Sequence, residues 1–150
     1  MPAEGPYDER YCAFVDILGF GQLVDRLREG ATRFEVIRDL LNIIHAPPEA
    51  RFVKAFTTTD YKAQSISDAV CISALPSAVG LSHLFYSLEE LTLRLLTQGF
   101  FLRGAIVRGR LYHDDRMVFG EALIRAFRLE QDVVRFPRIM VTREVVLDDR

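Results

Sequence analysis

The chain has 150 residues, of which 49% are apolar and 27% charged, with a formal net charge of −2. That length suits a single domain over residues 1–150 with a core of its own, and the composition excludes bulk disorder. The near-neutral charge gives no general field for nucleic acid or anionic membranes, and no apolar run approaches the roughly 20 residues of a bilayer span.

Met1 to Pro6 have neither the basic start nor the apolar stretch of a signal peptide. Cys12 and Cys71 both fall inside apolar strand patterns, where a free thiol is a small core residue. With no Cys-x-x-Cys and no clustered His, neither a disulfide framework nor a zinc site is indicated, and the chain reads as cytoplasmic. All but Lys54 and Lys62 of the 19 basic residues are Arg. Coding bias accounts for that skew, and so does a phosphate site built from the guanidinium fork.

Residues 10–17 alternate and then run apolar into Asp16, which predicts a buried strand. Gly19 and Gly21 open a helix with Leu23, Val24 and Leu27 on one face, ended by Gly30. Phe34, Ile37, Leu40, Leu41 and Ile44 predict a second helix, stopped by Pro47-Pro48, while 51–60 reads as a strand or an ordered loop. Segments 62–67 and 69–75 read as a hairpin whose turn holds Ser67-Asp68. After Pro76, a stripe of Leu81, Leu84, Phe85, Leu88, Leu91 and Leu95 predicts a long helix ended by Gly99. A strand over 100–108 turns at Gly109 and returns in part over 110–119. Gly120 leads into a helix to about 131, and Arg138–Thr142 form a last strand. This order predicts an α+β, ferredoxin-like sandwich with helices over one face of a mainly antiparallel sheet.

Chemistry concentrates where apolar strands deliver carboxylates to turns. Phe14-Val15-Asp16-Ile17 and Ser65-Ile66-Ser67-Asp68 each carry one. A charge at the end of a buried strand is costly unless it meets a cation, and two such carboxylates on neighbouring strands suit divalent-metal phosphate chemistry. Taken singly, Asp16 also suits a helix N-cap and Asp68 an ordinary hairpin turn. The turn Leu18-Gly19-Phe20-Gly21 presents backbone N–H groups at a helix start, a ready anion site. Arg103 begins a strand and adds a phosphate donor.

These residues resemble the class III nucleotide cyclases. The family's Phe-x-Asp-Ile-x-Gly-Phe pattern matches Phe14 to Phe20 at every defined position. Its Gly-Asp hairpin turn is similar to Ser67-Asp68, and its Arg-Val-Gly-Ile-x-x-Gly strand to Arg103–Gly109. Its Gly-x-x-Val-Asn-x-Ala-x-Arg helix resembles Gly120 to Arg128, with Ala126 and Arg128 in register. The fold of that family continues into a further helix and hairpin, which leaves truncation at Arg150 open.

The resemblance implies two Mg²⁺ or Mn²⁺ ions held by Asp16, Asp68 and the Ile17 carbonyl. It implies Arg103 on the β- or γ-phosphate and Arg128 at the α-phosphoryl transition state. It also implies a head-to-tail homodimer with composite sites, for which the many large apolar residues along 100–119 would supply a face.

The departures concern the base. Gln64 stands where adenylate cyclases place a base-reading Lys, Met117 where they place an Asp, and Ile124 where the family has a helix Asn. An apolar Met accepts nothing from a purine amino group. The short pattern Ala-Phe-Val-Asp-Ile-Leu-Gly-Phe looks like the pyrimidine cyclases of Pycsar anti-phage systems. That implies UTP as substrate, with CTP close behind, and a separate effector acting on the cyclic product. Gln64 offers both a donor and an acceptor and suits either pyrimidine.

A degenerate cyclase fold that binds nucleotide or dimerises is the alternative that Ile124 motivates. A diguanylate cyclase lacks support, since the Gly-Gly-(Asp/Glu)-Glu-Phe hairpin is missing. Tyr61 and Phe56 suit core packing better than stacking on a pyrimidine. Arg108, Arg110 and Arg125 read as surface charges, and His45, His83 and His113 are scattered without an assigned role.

Overall fold

The computed structural model describes residues 6–45 and 60–148. In chain order these form β1 (Asp8–Ile17), α1 (Phe20–Arg28), α2 (Phe34–His45), β2 (Lys62–Ile66), β3 (Ala69–Ala74) and α3 (Ala78–Thr97). Then follow β4 (Leu102–His113), β5 (Val118–Phe119), α4 (Glu121–Asp132), β6 (Ile139–Val141) and α5 (Arg143–Leu147). The helix stop at Pro47-Pro48, the segment 51–59 and Phe56 lie outside the described residues.

The sheet runs β2-β3-β1-β4-β5 with antiparallel pairing throughout, and β6 joins β4 in parallel. This is the α+β sandwich that the element order predicts. Strand alternation sends Tyr11, Ala13, Val15 and Ile17 into one apolar cluster with α1, α2 and α3. Cys12 and Phe14 point to the other face, where Cys71, Val107 and Leu111 meet Ala122 and Ala126 of α4.

The helices therefore cover both faces, not one. Ala122 and Ala126, four residues apart, give α4 a narrow small-residue stripe that lies close on the sheet. Phe85 also departs from its expected place, being largely exposed beside α3's buried leucines. Of the apolar side chains along 100–119, Leu102, Ile106, Val107, Leu111 and the small Ala105 are buried in the core. Phe101, Met117 and Phe119 stay exposed.

Gly109 does not turn the chain. β4 runs straight through it, paired with Arg10 of β1, and ends four residues later at His113. There Asp114 Oδ1 accepts from the backbone N–H groups of Arg116 and Met117 at 2.7 and 2.8 Å, so a side chain closes the turn. Gly109 is small because α4 crosses it: a β-carbon would stand 3.3 Å from Cβ of Ala122. Gly109→Val is accordingly expected to overpack the α4 contact and to cost about 2 kcal/mol in urea unfolding. An unchanged midpoint would mean that α4 lifts freely.

Candidate active site

The β1–β3 pairing brings the two aspartates to one end of the sheet. Asp16 pairs with Ala69, the residue after Asp68, and Ile17 N donates to Asp68 O at 3.2 Å. Across β1 on the other side, Asp16 pairs with Arg103. The β2–β3 turn is held from below by α2: Ser65 Oγ donates to Ile44 O at 3.0 Å, and His45 Nε2 donates to Ser67 O at 2.7 Å. His45, without a role in the sequence reading, thus fixes the turn that carries Asp68. Ser67 takes φ 54, the left-handed conformation that favours Gly.

Charge at this end is incompletely compensated. Arg103 Nε lies 3.4 Å from Asp16 Oδ1 and 2.6 Å from Glu130 Oε1. The second contact is a close ion pair, because no hydrogen bond is aimed at that buried Glu130 oxygen. Glu130, on α4, is 0% exposed, and its other oxygen accepts from Gln131 Nε2 at 2.5 Å. Burial pushes the Asp16 carboxyl up from 3.8 to about 7, reinforced by Glu130 and Asp68 and opposed by Arg103. Burial also raises Asp68, while hydrogen bonds from its own backbone and Ser67, and then Arg103, pull it down.

Among the described residues, no three or more His, Cys, Asp or Glu side chains are grouped as a metal site. The Asp16–Asp68 pair nevertheless fits a divalent ion of the Mg²⁺ kind, which takes one or two carboxylates and fills its remaining positions with phosphate and water. A raised, partly neutralised carboxyl is the electrostatic signature of such a place.

The turn Leu18-Gly19-Phe20-Gly21 sits beside the aspartates. Leu18 N donates to Phe101 O at 2.9 Å, and Gly19 takes φ 80 to start α1 without a side-chain cap. A cavity of about 250 Å³ opens against Leu18, Gly19, Gln22 and Phe101, and Arg26 borders it. Neither Arg26 nor the ion pair of Arg103 with Glu130 is foreseen from the sequence. Spacing held the signal for the latter: Ala122, Ala126 and Glu130 share one helical stripe, and a carboxylate on a small apolar stripe needs a cation.

The remaining candidates stand elsewhere. Arg128 is exposed on α4 and makes no ion pair with Glu121 or Glu130 among the described residues. Two residues from Glu130 on a helix, it leaves from the opposite side. Gln64 lies in β2 opposite Cys71, and Met117, 48% exposed, lies in the β4–β5 turn. Lys62 Nζ, on β2, meets Asp115 Oδ1, in the β4–β5 turn, at 3.1 Å. Ile124 borders an apolar groove of about 350 Å³ with Phe14, Ile66 and Phe127. Tyr61 stacks on His83, ring centres 4.1 Å apart. Arg108 and Arg125 pair with carboxylates at the surface. No described helix is long and apolar enough to cross a membrane.

No protein-family model and no curated protein sequence matches the chain. Solved structures do match. The catalytic core of a rhodopsin-guanylyl cyclase with converted specificity, in complex with ATPαS, is similar with TM-score 0.63 over 96% of this chain and 82% of that one, at 15% identity. A bacterial light-regulated adenylyl cyclase gives TM-score 0.64 over 98% of this chain and 47% of that one, at 16% identity. A further structure of such an enzyme gives 0.55 over 92% and 77%, also at 16%. The chain has the fold of guanylyl and adenylyl cyclase catalytic cores.

Proposed function

We propose that this protein is a nucleotide cyclase that converts UTP to 3′,5′-cyclic UMP and pyrophosphate, as a second-messenger synthase in anti-phage defence whose product acts on a separate effector. The observation that carries the reading is the meeting of Asp16, Asp68 and Arg103 at one sheet end beside an uncapped helix start, on a cyclase-core fold.

Asp16, Asp68 and the Ile17 carbonyl would hold two Mg²⁺ or Mn²⁺ ions. Such ions, when bound, acidify the ribose 3′-hydroxyl and offset charge on the leaving pyrophosphate. The residues of the chain position the rest. N–H groups of Leu18 to Gly21 bind phosphate at the start of α1. Arg103 exchanges its contact with Glu130 for the β- or γ-phosphate, and Arg128 meets the α-phosphoryl group as the 3′-oxygen attacks in line.

Because Arg128 leaves α4 away from Glu130, it serves a site on a second copy. Ile66, Ile124 and Phe127 are exposed around the apolar groove on the face that carries Asp16, and a head-to-tail homodimer covers them. Gln64 and Met117 of that copy then stand near the base.

Incubation of the purified protein with each of the four NTPs and Mn²⁺ is expected to yield cyclic UMP from UTP. Cyclic CMP alone would move the assignment to cytidylate cyclase. Nucleotide binding in calorimetry with no cyclic product from any NTP would leave the degenerate binding module that Ile124 motivates.

A further inference from the structure

A second polar cluster lies on the same sheet face as Asp16 but at its other end. Arg10, Ser73 and His113, from three different strands, are 6%, 0% and 8% exposed. Arg10 Nε donates to Ser73 Oγ at 2.9 Å, and Ser73 Oγ lies 2.7 Å from His113 Nδ1. Arg10 Nη1 donates to Asp60 Oδ2 at 2.7 Å, and Nη2 to the Asp60 backbone oxygen.

Arginine only donates, so Ser73 accepts from Arg10, which leaves the serine's own hydroxyl proton available to His113 Nδ1. A neutral imidazole that accepts at Nδ1 carries its proton on Nε2. Burial first, then Arg10 and Lys62, hold His113 down to about 4 against Asp114 and Asp60, so the ring stays neutral. Its Nε2 is buried and has no hydrogen-bond partner among the described residues. A buried donor left without an acceptor is costly, and a ligand acceptor recovers that cost. His113 borders a cavity of about 370 Å³ together with Lys62 and Asp60.

We infer that this cavity reads the substrate base and that His113 selects uracil over cytosine. The inference rests on the cyclase reading and names its substrate class. Uracil presents carbonyl, ring N–H and carbonyl along one edge. His113 Nε2–H and Lys62 donate to the two carbonyls, and the Asp60 carboxylate accepts the ring N–H. Cytosine turns one carbonyl into an amino group and the ring N–H into an acceptor, so donor faces donor and acceptor faces acceptor.

The cavity serves the aspartates of a second copy. Arg10 is six residues from Asp16 along β1, about 20 Å at the rise of a strand. One ribose joins a base to its α-phosphate, too short a link to span that distance within one chain.

The test follows the His113 imidazole by ¹⁵N spectroscopy of the wild-type protein during titration with uridine and with cytidine, beside UTP and CTP turnover by His113→Leu and His113→Gln. Uridine is expected to shift the Nε2–H signal at concentrations at least tenfold below cytidine. His113→Leu should lower the UTP:CTP ratio of kcat/KM at least tenfold, and His113→Gln, which keeps a donor, should restore part of it. Turnover of UTP with that ratio unchanged in His113→Leu, or no response of Nε2–H to uridine, would overturn the inference while leaving the cyclase reading intact. No cyclic product from any NTP, with uridine still shifting His113, would support the cavity as a uracil site and remove the cyclase reading instead.

Discussion

Asp16→Asn is expected to reduce cyclic nucleotide formation by at least about 10³, equivalent to about 4 kcal/mol of transition-state stabilisation, while making the metal-free protein more stable. The two effects have one cause. The Asp16 carboxyl is pushed up to about 7 by burial, Glu130 and Asp68. The folded chain therefore keeps a proton that the unfolded chain releases from about pH 4 upward. Stability contributed by that proton is present at low pH, declines between about 4 and 7, and is absent above. A shift of this size corresponds to about 4 kcal/mol at most, and loss of the Arg103 contact returns part of it. A net gain of about 2 kcal/mol at pH 8, or roughly 4–8 °C in Tm, is expected of the Asn variant, and none below pH 4. Calorimetric melts at the two pH values in EDTA check this. Mn²⁺ should raise Tm of the wild-type protein at pH 8 and leave the variant unmoved. A variant less stable than wild type at pH 8 would mean that Asp16 is a satisfied structural carboxylate.

The local part of this design is legible in the sequence. The strand into Asp16, the hairpin around Ser67-Asp68 and the long helix after Pro76 each declare themselves through periodicity and turn chemistry within a dozen residues. What the sequence hides is register between distant strands. Gly109 reads as a turn because glycines commonly turn chains; its actual reason, the passage of α4 above it, needs the pairing of β1 with β4. Glu130 shares a buried stripe with Ala122 and Ala126 that the spacing marks, but its partner Arg103 is identified only when α4 is laid across the sheet. His113 looks isolated because Ser73 and Arg10 are distant in the chain, and only the side-by-side packing of β3, β1 and β4 joins them. Side chains that act together across strands carry no local mark.

Arg103→Leu is expected to be the most damaging single change to stability at this end of the sheet. Arg103 is the cation between Asp16 and Glu130, and it also lowers Asp68. Its removal leaves Glu130 buried beside two further carboxylates, a loss of about 3 kcal/mol by analogy with other half-broken buried pairs. The pH dependence has a definite sign. Without the guanidinium both aspartates are raised further, so their charged forms are penalised most at high pH and escape by protonation as pH falls. Urea midpoints for variant and wild type should therefore diverge at pH 8 and approach each other at pH 5. Glu130→Gln in the Arg103→Leu background should recover part of the loss, because the two residues form one ion pair and their effects do not add. Additive effects, or a penalty that grows toward low pH, would show that Arg103 stabilises the fold by packing alone and that Glu130 is satisfied without it. On catalysis, the same variant should lose about 10² in kcat/KM for UTP, since a phosphate-binding arginine acts through charge and fork geometry that leucine lacks. Arg103→Lys should regain the charge but not the fork, and so restore stability more fully than turnover.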